Sequence, residues 1–505
     1  MASLPRALLL ALVLGSTACG GRSTPASGGP RLVLLVATCT LAKNSLEPYD
    51  LRVCWTPNLA ALARQGVVFE RHETEAGQSG CDFAALFTGT QADRHGIYHH
   101  PTELADASTT IAEAFAAAGW ETYFWFGHPM ASPELHYDQG VPREHQYAFQ
   151  TSDPHSLARA DVPSEQLYAH LAADPSAHAY AQLNFTVTHV PYPVGRNPRP
   201  RAALRALCPS AVPDIAEDEF QELMTLAEAN LRALQWDFDA TVAKLGLAPE
   251  RVARLAQALE LAYRASVEQL DSYLGEILVN LEQHGLLEQT LFVFTADHGE
   301  ALHREGLEFH WTHGLQLAPE CLDVPWIVRG PGIAPGRYAG VTRSIDVFPT
   351  VAALAGVPLP RGAVDGVDLS RAVLGREPPP HLVAYSHTTT LIPSLAEESR
   401  EWGRFRIFYP RTDPELMWVR ARDGERVYQL RNLDGERFGF QVFDLARDPF
   451  ELHDLAAAGD PAQSAMRAEL ERYKRRLVEG FARAGLAERA GANALERLRG
   501  LGYAR

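Results

Sequence analysis

Two apolar runs set the frame of this chain. Residues 31–38, RLVLLVAT, and 291–296, LFVFTA, are continuous and rich in Val, Leu and Phe. A strand with one wet face alternates in polarity. A strand apolar throughout is buried on both faces, as in a parallel sheet covered by helices. The second run ends in a polar group, Asp297-His298-Gly299-Glu300. Helical segments sit between such runs. TPNLAALARQGVVF has Thr56-Pro57 as N-cap and first helical residue. A helix is predicted over 81–88, ending at Gly89, and TIAEAFAAAG leads into the strand WETYFWF. Residues 179–188 are a further strand candidate. The alternation predicts an α/β fold, a doubly wound, mostly parallel sheet.

The rest of the chain is organised differently. In 214–245, Phe220, Leu223, Leu226, Leu231 and Leu234 recur at helical spacing between acidic residues. A second helix over 250–284 carries Leu255, Leu259, Tyr263, Val267, Leu270 and Leu274 on one face. Such stripes usually pack, so 214–250 reads as a helical insertion, structural or a lid. REPPPH at 376–381 marks a boundary. Beyond it FRIFYP, MWVRAR and ERVYQLR alternate like antiparallel strands, FGFQVFDLARDPFELHDLA follows, and the end is helical. The predicted units are an α/β domain over 31–380, an antiparallel subdomain over 381–456 and a helical tail over 457–505.

With 505 residues and 46% hydrophobic content, a large core is available. The net charge of −16 argues against a nucleic-acid partner and against bulk steering of anions. Residues 1–19 have the pattern of a signal peptide, with an apolar run too short to span a bilayer. Small residues before Cys19 resemble a bacterial lipobox, and residues 20–30 form a Gly/Ser/Pro tether. The expectation is export, as an outer-membrane lipoprotein or a periplasmic protein, touching the membrane only through an N-terminal lipid. Ordinary cleavage near Ala18 is the alternative. Beyond Cys19 an odd set of cysteines remains, Cys39, Cys54, Cys81, Cys208 and Cys321. One disulfide is allowed, with its pairing open.

Metal-assisted ester hydrolysis needs ligands converging at strand ends, a nucleophile beside them, and a group that protonates the leaving oxygen. Asp297-His298 follows a strand directly, and His313-Gly314 and VPWIVRGPG come next. This order, with VLLVATCTLAKNSL, AALFTGTQADRHGI, THVPYP, SIDVFPTVAALAGV and LRGLGY in their places, resembles the sulfatase family of the alkaline phosphatase superfamily. The resemblance implies that family's fold, one divalent metal and a small-molecule, glycan or lipid ester substrate. It places Asp297 and His298 at the metal, His189 and His313 at the substrate and leaving group, and a nucleophile ahead of Gly89.

Three positions depart from the family. Its first metal-binding Asp is matched by Cys39, and a second acidic position by Asn44. Thiolate and imidazole suit zinc and not calcium. Either the metal is lost, or Cys39, Asp297 and His298 form a softer site. The plainer reading of Cys39 is a small buried residue at a strand end. The family's CxPxR nucleophile motif is matched by SGCDF, with Ser79 in register and Cys81 displaced. Without that motif's Pro and Arg, Ser79 is expected to stay an unmodified serine and not to become formylglycine. Ser79 reads as a metal-activated alkoxide or as a helix N-cap. Finally, the family's sulfate-binding Lys has no match in WETYFWFGHPM, where His128 is the nearest polar candidate. Two functions stay open: a divergent sulfate or phosphate ester hydrolase using Ser79 and a single metal, or an inactive, surface-tethered binding or scaffolding protein.

Overall fold

A computed structural model describes residues 28–98, 102–148, 161–304, 306–359, 362–388, 417–432 and 438–484. The signal, the tether as far as residue 27, the segment FRIFYP and the last part of the tail lie outside the described residues. The first eight strands form one sheet. They are β1 (Leu32–Thr38), β2 (Val67–Glu73), β3 (Glu121–Phe126), β4 (Gln146–Ala148), β5 (Ala179–Phe185), β6 (Thr290–Ala296), β7 (Trp326–Arg329) and β8 (Gly336–Arg343). Their order across the sheet is β4-β3-β5-β1-β6-β7-β2-β8. All neighbours are parallel except β7, which runs antiparallel to both β6 and β2.

The two-faced burial read from the sequence is literal. Leu32, Leu34 and Val36 of β1 join one core, and Val33, Leu35 and Ala37 join the other. Phe292 and Phe294 of β6 go to the first, Leu291 and Val293 to the second. Alternate side chains point to opposite faces, so both need helical cover. The long helix Pro249–Gln283 covers the first face, burying Leu255, Leu259, Tyr263, Val267, Leu270 and Leu274. Truncating a side chain such as Leu34 would cost about 2–5 kcal/mol. The 214–250 segment forms helices Glu217–Trp236 and Phe238–Lys244, and Phe220, Leu223 and Leu234 pack into that same core.

A second sheet follows, of β9 (Val383–His387), β10 (Val419–Asp423), β11 (Arg426–Asn432) and β12 (Phe438–Asp444), antiparallel in the order β12-β11-β10-β9. The helix Pro461–Ala484 packs on it through Leu470, Tyr473 and Leu477. This sheet is fastened to the end of β2. Ser386 Oγ donates to Thr74 O at 2.8 Å, and His387 N to Glu75 O at 2.8 Å. Arg420 and Arg422, both buried, pair with Glu73 at 2.6 and 3.1 Å. The chain leading to Ser79 is therefore held from both sheets. Cys54 and Cys208 form a disulfide, while Cys39, Cys81 and Cys321 are free and buried.

Some boundaries differ from those expected. The helix predicted over 81–88 begins at Ser79 and runs to Thr88. The strand candidate 179–188 ends at Phe185. Past it the chain turns to the ends of its neighbours, where Thr188 Oγ1 donates to Cys39 O.

Candidate active site

In a parallel sheet the carboxyl ends of the strands share one edge, where ligands bind. Here β3 delivers His128, β5 delivers His189, β1 delivers Cys39, and β6 delivers Asp297 and His298. Strand β2 runs parallel to them, because β7 reverses direction between β6 and β2. Its continuation delivers Ser79. Cys39, Ser79, Asp297 and His298 form the floor, each at most 1% exposed. His128 is buried beside them. His189 and His313 are partly exposed and stand at the mouth, their rings 5.3 Å apart.

Local structure fixes each floor residue. Thr40 takes φ +56, a left-handed conformation costly for a β-branched residue. It is held by Thr40 N donating to Asp297 Oδ1 at 3.2 Å and by Tyr263 Oη donating to Thr40 O at 3.0 Å. This bend aims Cys39 inward. Gly299 follows His298 because a Cβ there would collide with Glu320 O. Ser79 is the first residue of its helix and not the N-cap, a position taken by Gln78. The capping work falls to Asp82, whose carboxyl oxygens accept from Glu75 N, Ala76 N and Gln78 N at 3.1, 2.7 and 2.7 Å. That leaves the Ser79 hydroxyl for the site. Cys81, the rival nucleophile, turns away into the core and donates to Ile97 O at 3.1 Å. Asn44 is exposed and takes no part, and His303 and His310 pack with Phe238 and Trp311.

The floor is tightly knit. Ser79 Oγ lies 3.0 Å from His298 Nε2 and 3.4 Å from Cys39 Sγ. Asp297 Oδ1 accepts from His298 N at 2.6 Å. Its Oδ2 is buried without a hydrogen bond, 3.5 Å from His298 Nε2. Burial raises the Asp297 carboxyl to about 7 and the Cys39 thiol well above its usual range, with the Asp297 charge adding to the latter.

The ring nitrogens are sorted by their partners. His298 Nδ1 faces Gly299 O at 2.9 Å and His189 Nδ1 faces Val190 O at 2.7 Å. A carbonyl only accepts, so both Nδ1 atoms carry a proton, and in the neutral ring the lone pair lies on Nε2. His128 is the reverse. Its Nδ1 accepts from Met130 N at 3.1 Å, so the neutral ring has N–H at Nε2. His313 Nδ1 meets Glu300 Oε1 at 3.3 Å, and Glu300 Oε2 accepts from Tyr192 Oη at 3.3 Å. Burial pushes Glu300 up to about 8 and His313 well below its usual value. A neutral pair then has the Glu300 hydroxyl donating to Nδ1, which leaves N–H at His313 Nε2. The sequence alone assigns Glu300 no role. The only signal was its place two residues beyond His298.

Cys39 Sγ, an Asp297 oxygen and a His298 nitrogen lie within 4.8 Å of one another, and so do Cys39, His128 and His189. The first set fits a metal. It joins an orphaned carboxylate oxygen, a thiol and an imidazole whose other nitrogen is already bonded, with Ser79 completing four donors. The second set fits less well, because His128 presents N–H where a ligand needs a lone pair.

A family model for the sulfatases matches residues 31–357. The chain belongs to the sulfatase family. Members of that family use a metal ion. Choline-sulfatase of Rhizobium meliloti (strain 1021) is 33% identical over 198 residues, 39% of this chain and 32% of that protein. The alignments with this and the next curated relatives span about a third of those proteins' length. Among solved structures, BT4656 in complex with its substrate D-glucosamine-2-N,6-O-disulfate superposes with a TM-score of 0.63 at 16% identity, covering 91% of this chain and 100% of that one. The phosphonate monoester hydrolase of Agrobacterium radiobacter superposes with a TM-score of 0.58 at 21% identity, covering 90% and 96%. At these identities the likeness is one of fold, the alkaline-phosphatase-like α/β architecture.

Proposed function

We propose that this sulfatase-family chain is a hydrolase of sulfate or phosphate esters, with Ser79 as nucleophile beside one zinc-like ion held by Cys39, Asp297 and His298. The observation that carries the reading is the convergence of Ser79 Oγ with His298 Nε2 and Cys39 Sγ at the buried floor. When bound, the ion would lower the pKa of the Ser79 hydroxyl and draw charge from the ester oxygens. The chain's own residues do the rest. Ser79 Oγ, its proton released to solvent, forms a bond to phosphorus as the bond to the leaving alcohol breaks. His313 Nε2–H gives that alcohol a proton, with Glu300 behind it. His189 Nε2, a lone-pair acceptor at the mouth, orients the water that then cleaves the seryl ester. His128 Nε2–H donates to a non-bridging oxygen.

Phosphorus is favoured over sulfur. Water can attack the phosphorus of a phosphoserine, whereas a serine sulfate has no comparably easy exit, and SGCDF cannot supply formylglycine. The test is metal content of the purified protein with turnover of a panel of sulfate and phosphate esters. Stoichiometric zinc with turnover lost in Ser79→Ala supports the reading. Stoichiometric calcium contradicts the ligand assignment. No metal and no turnover would make the chain a tethered binding protein, the reading favoured by the missing cations.

Export with a lipid on Cys19 is proposed on the lipobox-like sequence. The Cys54–Cys208 disulfide supports an oxidising compartment. Mass spectrometry of the mature N-terminus tests this, and a free amino terminus elsewhere would refute it.

A further inference from the structure

The helical insertion and the loop that carries His313 meet at one residue. The helix Glu217–Trp236 leaves its last carbonyls without partners inside it. One of them, Gln235 O, accepts from His310 N at 3.1 Å. The side chain of the same residue takes the next peptide, Gln235 Nε2 donating to Trp311 O at 2.6 Å. Gln235 is buried, so water competes poorly for either bond.

These two bonds close on a strained point. Trp311 takes φ +45, a left-handed conformation unfavourable for a bulky side chain. Such a residue stays there only where its surroundings over-determine it. Besides Gln235, Trp311 N donates to Leu302 O at 3.0 Å. The Trp311 ring packs 4.9 Å from that of Phe238, the first residue of the next insertion helix. Directly past the bend, Thr312 and Ala301 exchange backbone hydrogen bonds at 3.3 and 3.2 Å. The residues flanking that pair are His313 and Glu300, whose side chains meet at 3.3 Å. The bend at Trp311 therefore fixes the backbone from which His313 projects.

We infer that Gln235 is a positioning residue for His313: by holding the bend at Trp311 it sets where the His313 ring stands against the leaving oxygen. The insertion thus acts on the chemistry as well as covering the sheet. The inference rests on the reading of His313 as leaving-group acid given above. A misplacement of about 1 Å can cost on the order of 100-fold in rate.

The test is leaving-group dependence. A p-nitrophenolate departs without a proton, whereas a phenolate needs one. Phenyl and p-nitrophenyl phosphates, as monoesters and as methyl diesters, are compared on the zinc-loaded protein. The phenyl to p-nitrophenyl ratio of kcat should fall about 100-fold in His313→Ala and at least about tenfold in Gln235→Met, which keeps the side-chain length and loses the donor. Adding Gln235→Met to His313→Ala should move the ratio by less than about threefold, since both act through one group. If Gln235→Met does not fold, Gln235→Asn, whose amide falls one methylene short, takes its place. A ratio unmoved while both rates fall alike would make Gln235 merely structural and overturn the inference. A further fall in the double variant would overturn it too. If no ester turns over, or His313→Ala leaves the ratio unmoved, the hydrolase reading fails by itself. Modification by diethyl pyrocarbonate, mapped by peptide mass spectrometry, then decides the positioning. His313 should react at least about fivefold faster in Gln235→Met, with the buried His72 and His95 unchanged. An unchanged His313, or all three histidines accelerating together, overturns it.

Discussion

Ser79 Oγ sits 3.0 Å from His298 Nε2, whose Nδ1 is already committed to Gly299 O. The imidazole therefore offers its lone pair toward the serine hydroxyl, at the place where the proposed metal would bind. Cobalt titration of the purified protein should give thiolate-to-cobalt charge-transfer absorption from Cys39. Cys39→Ser should lose the band, and Ser79→Ala should keep it. A band that survives Cys39→Ser would place the metal elsewhere.

Asp297 gives a pH prediction with a definite sign. Its folded-state pKa is raised to about 7 by burial, above the ordinary carboxylate value of about 3.9. A raised carboxylate contributes most to stability when protonated, and that contribution is lost as pH rises through about 7. Metal-free Asp297→Asn should thus be more stable than wild type at pH 8, by on the order of 2–4 kcal/mol, and level with it at pH 4. Zinc affinity of the wild type should fall at least about tenfold per pH unit below 7, since Cys39 and Asp297 must both release protons. Denaturation curves at the two pH values, with and without zinc, check this. Greater stability of wild-type apoprotein at pH 8 would contradict it.

Asp82 holds the turn before Ser79 through three backbone N–H groups. Asp82→Ala leaves those donors buried and should cost about 3 kcal/mol or more. Asp82→Asn, which keeps an acceptor, should cost less and retain more turnover. Urea unfolding of both variants separates the outcomes, and equal stability of Asp82→Ala and wild type would refute the role.

Much of this was legible in the chain. Runs apolar on both faces, RLVLLVAT and LFVFTA, dictated a covered parallel sheet. Residues directly after them, Cys39 and Asp297-His298, had to meet at one edge. The sulfatase resemblance, counted back from Gly89, implied Ser79 as the candidate nucleophile. What stayed hidden depends on side-chain direction and on contacts distant in sequence. Cys81, two residues from Ser79, points to the opposite side of its helix turn. The His128 tautomer is set by one backbone N–H, from Met130. Glu300 gains its role only because the loop returns His313 to it. The pairing of Cys54 with Cys208 joins segments 154 residues apart, beyond any local pattern.

That disulfide closes a long loop and should matter for stability. Replacing Cys54 and Cys208 together by Ser should lower the unfolding free energy by about 3–5 kcal/mol. The metal site should be untouched. Alkylation mapping of the wild type should find Cys39, Cys81 and Cys321 free only after unfolding. Labelling of Cys54 without reductant would refute the pairing.

The most direct measurement is peptide mass spectrometry of the zinc-loaded protein, acid-quenched during turnover of a phosphodiester. The account predicts a phosphorylated adduct on Ser79, absent in Ser79→Ala, with position 79 otherwise an unmodified serine. Formylglycine at position 79 or 81, an adduct on Cys81, or turnover that persists in Ser79→Ala would contradict it.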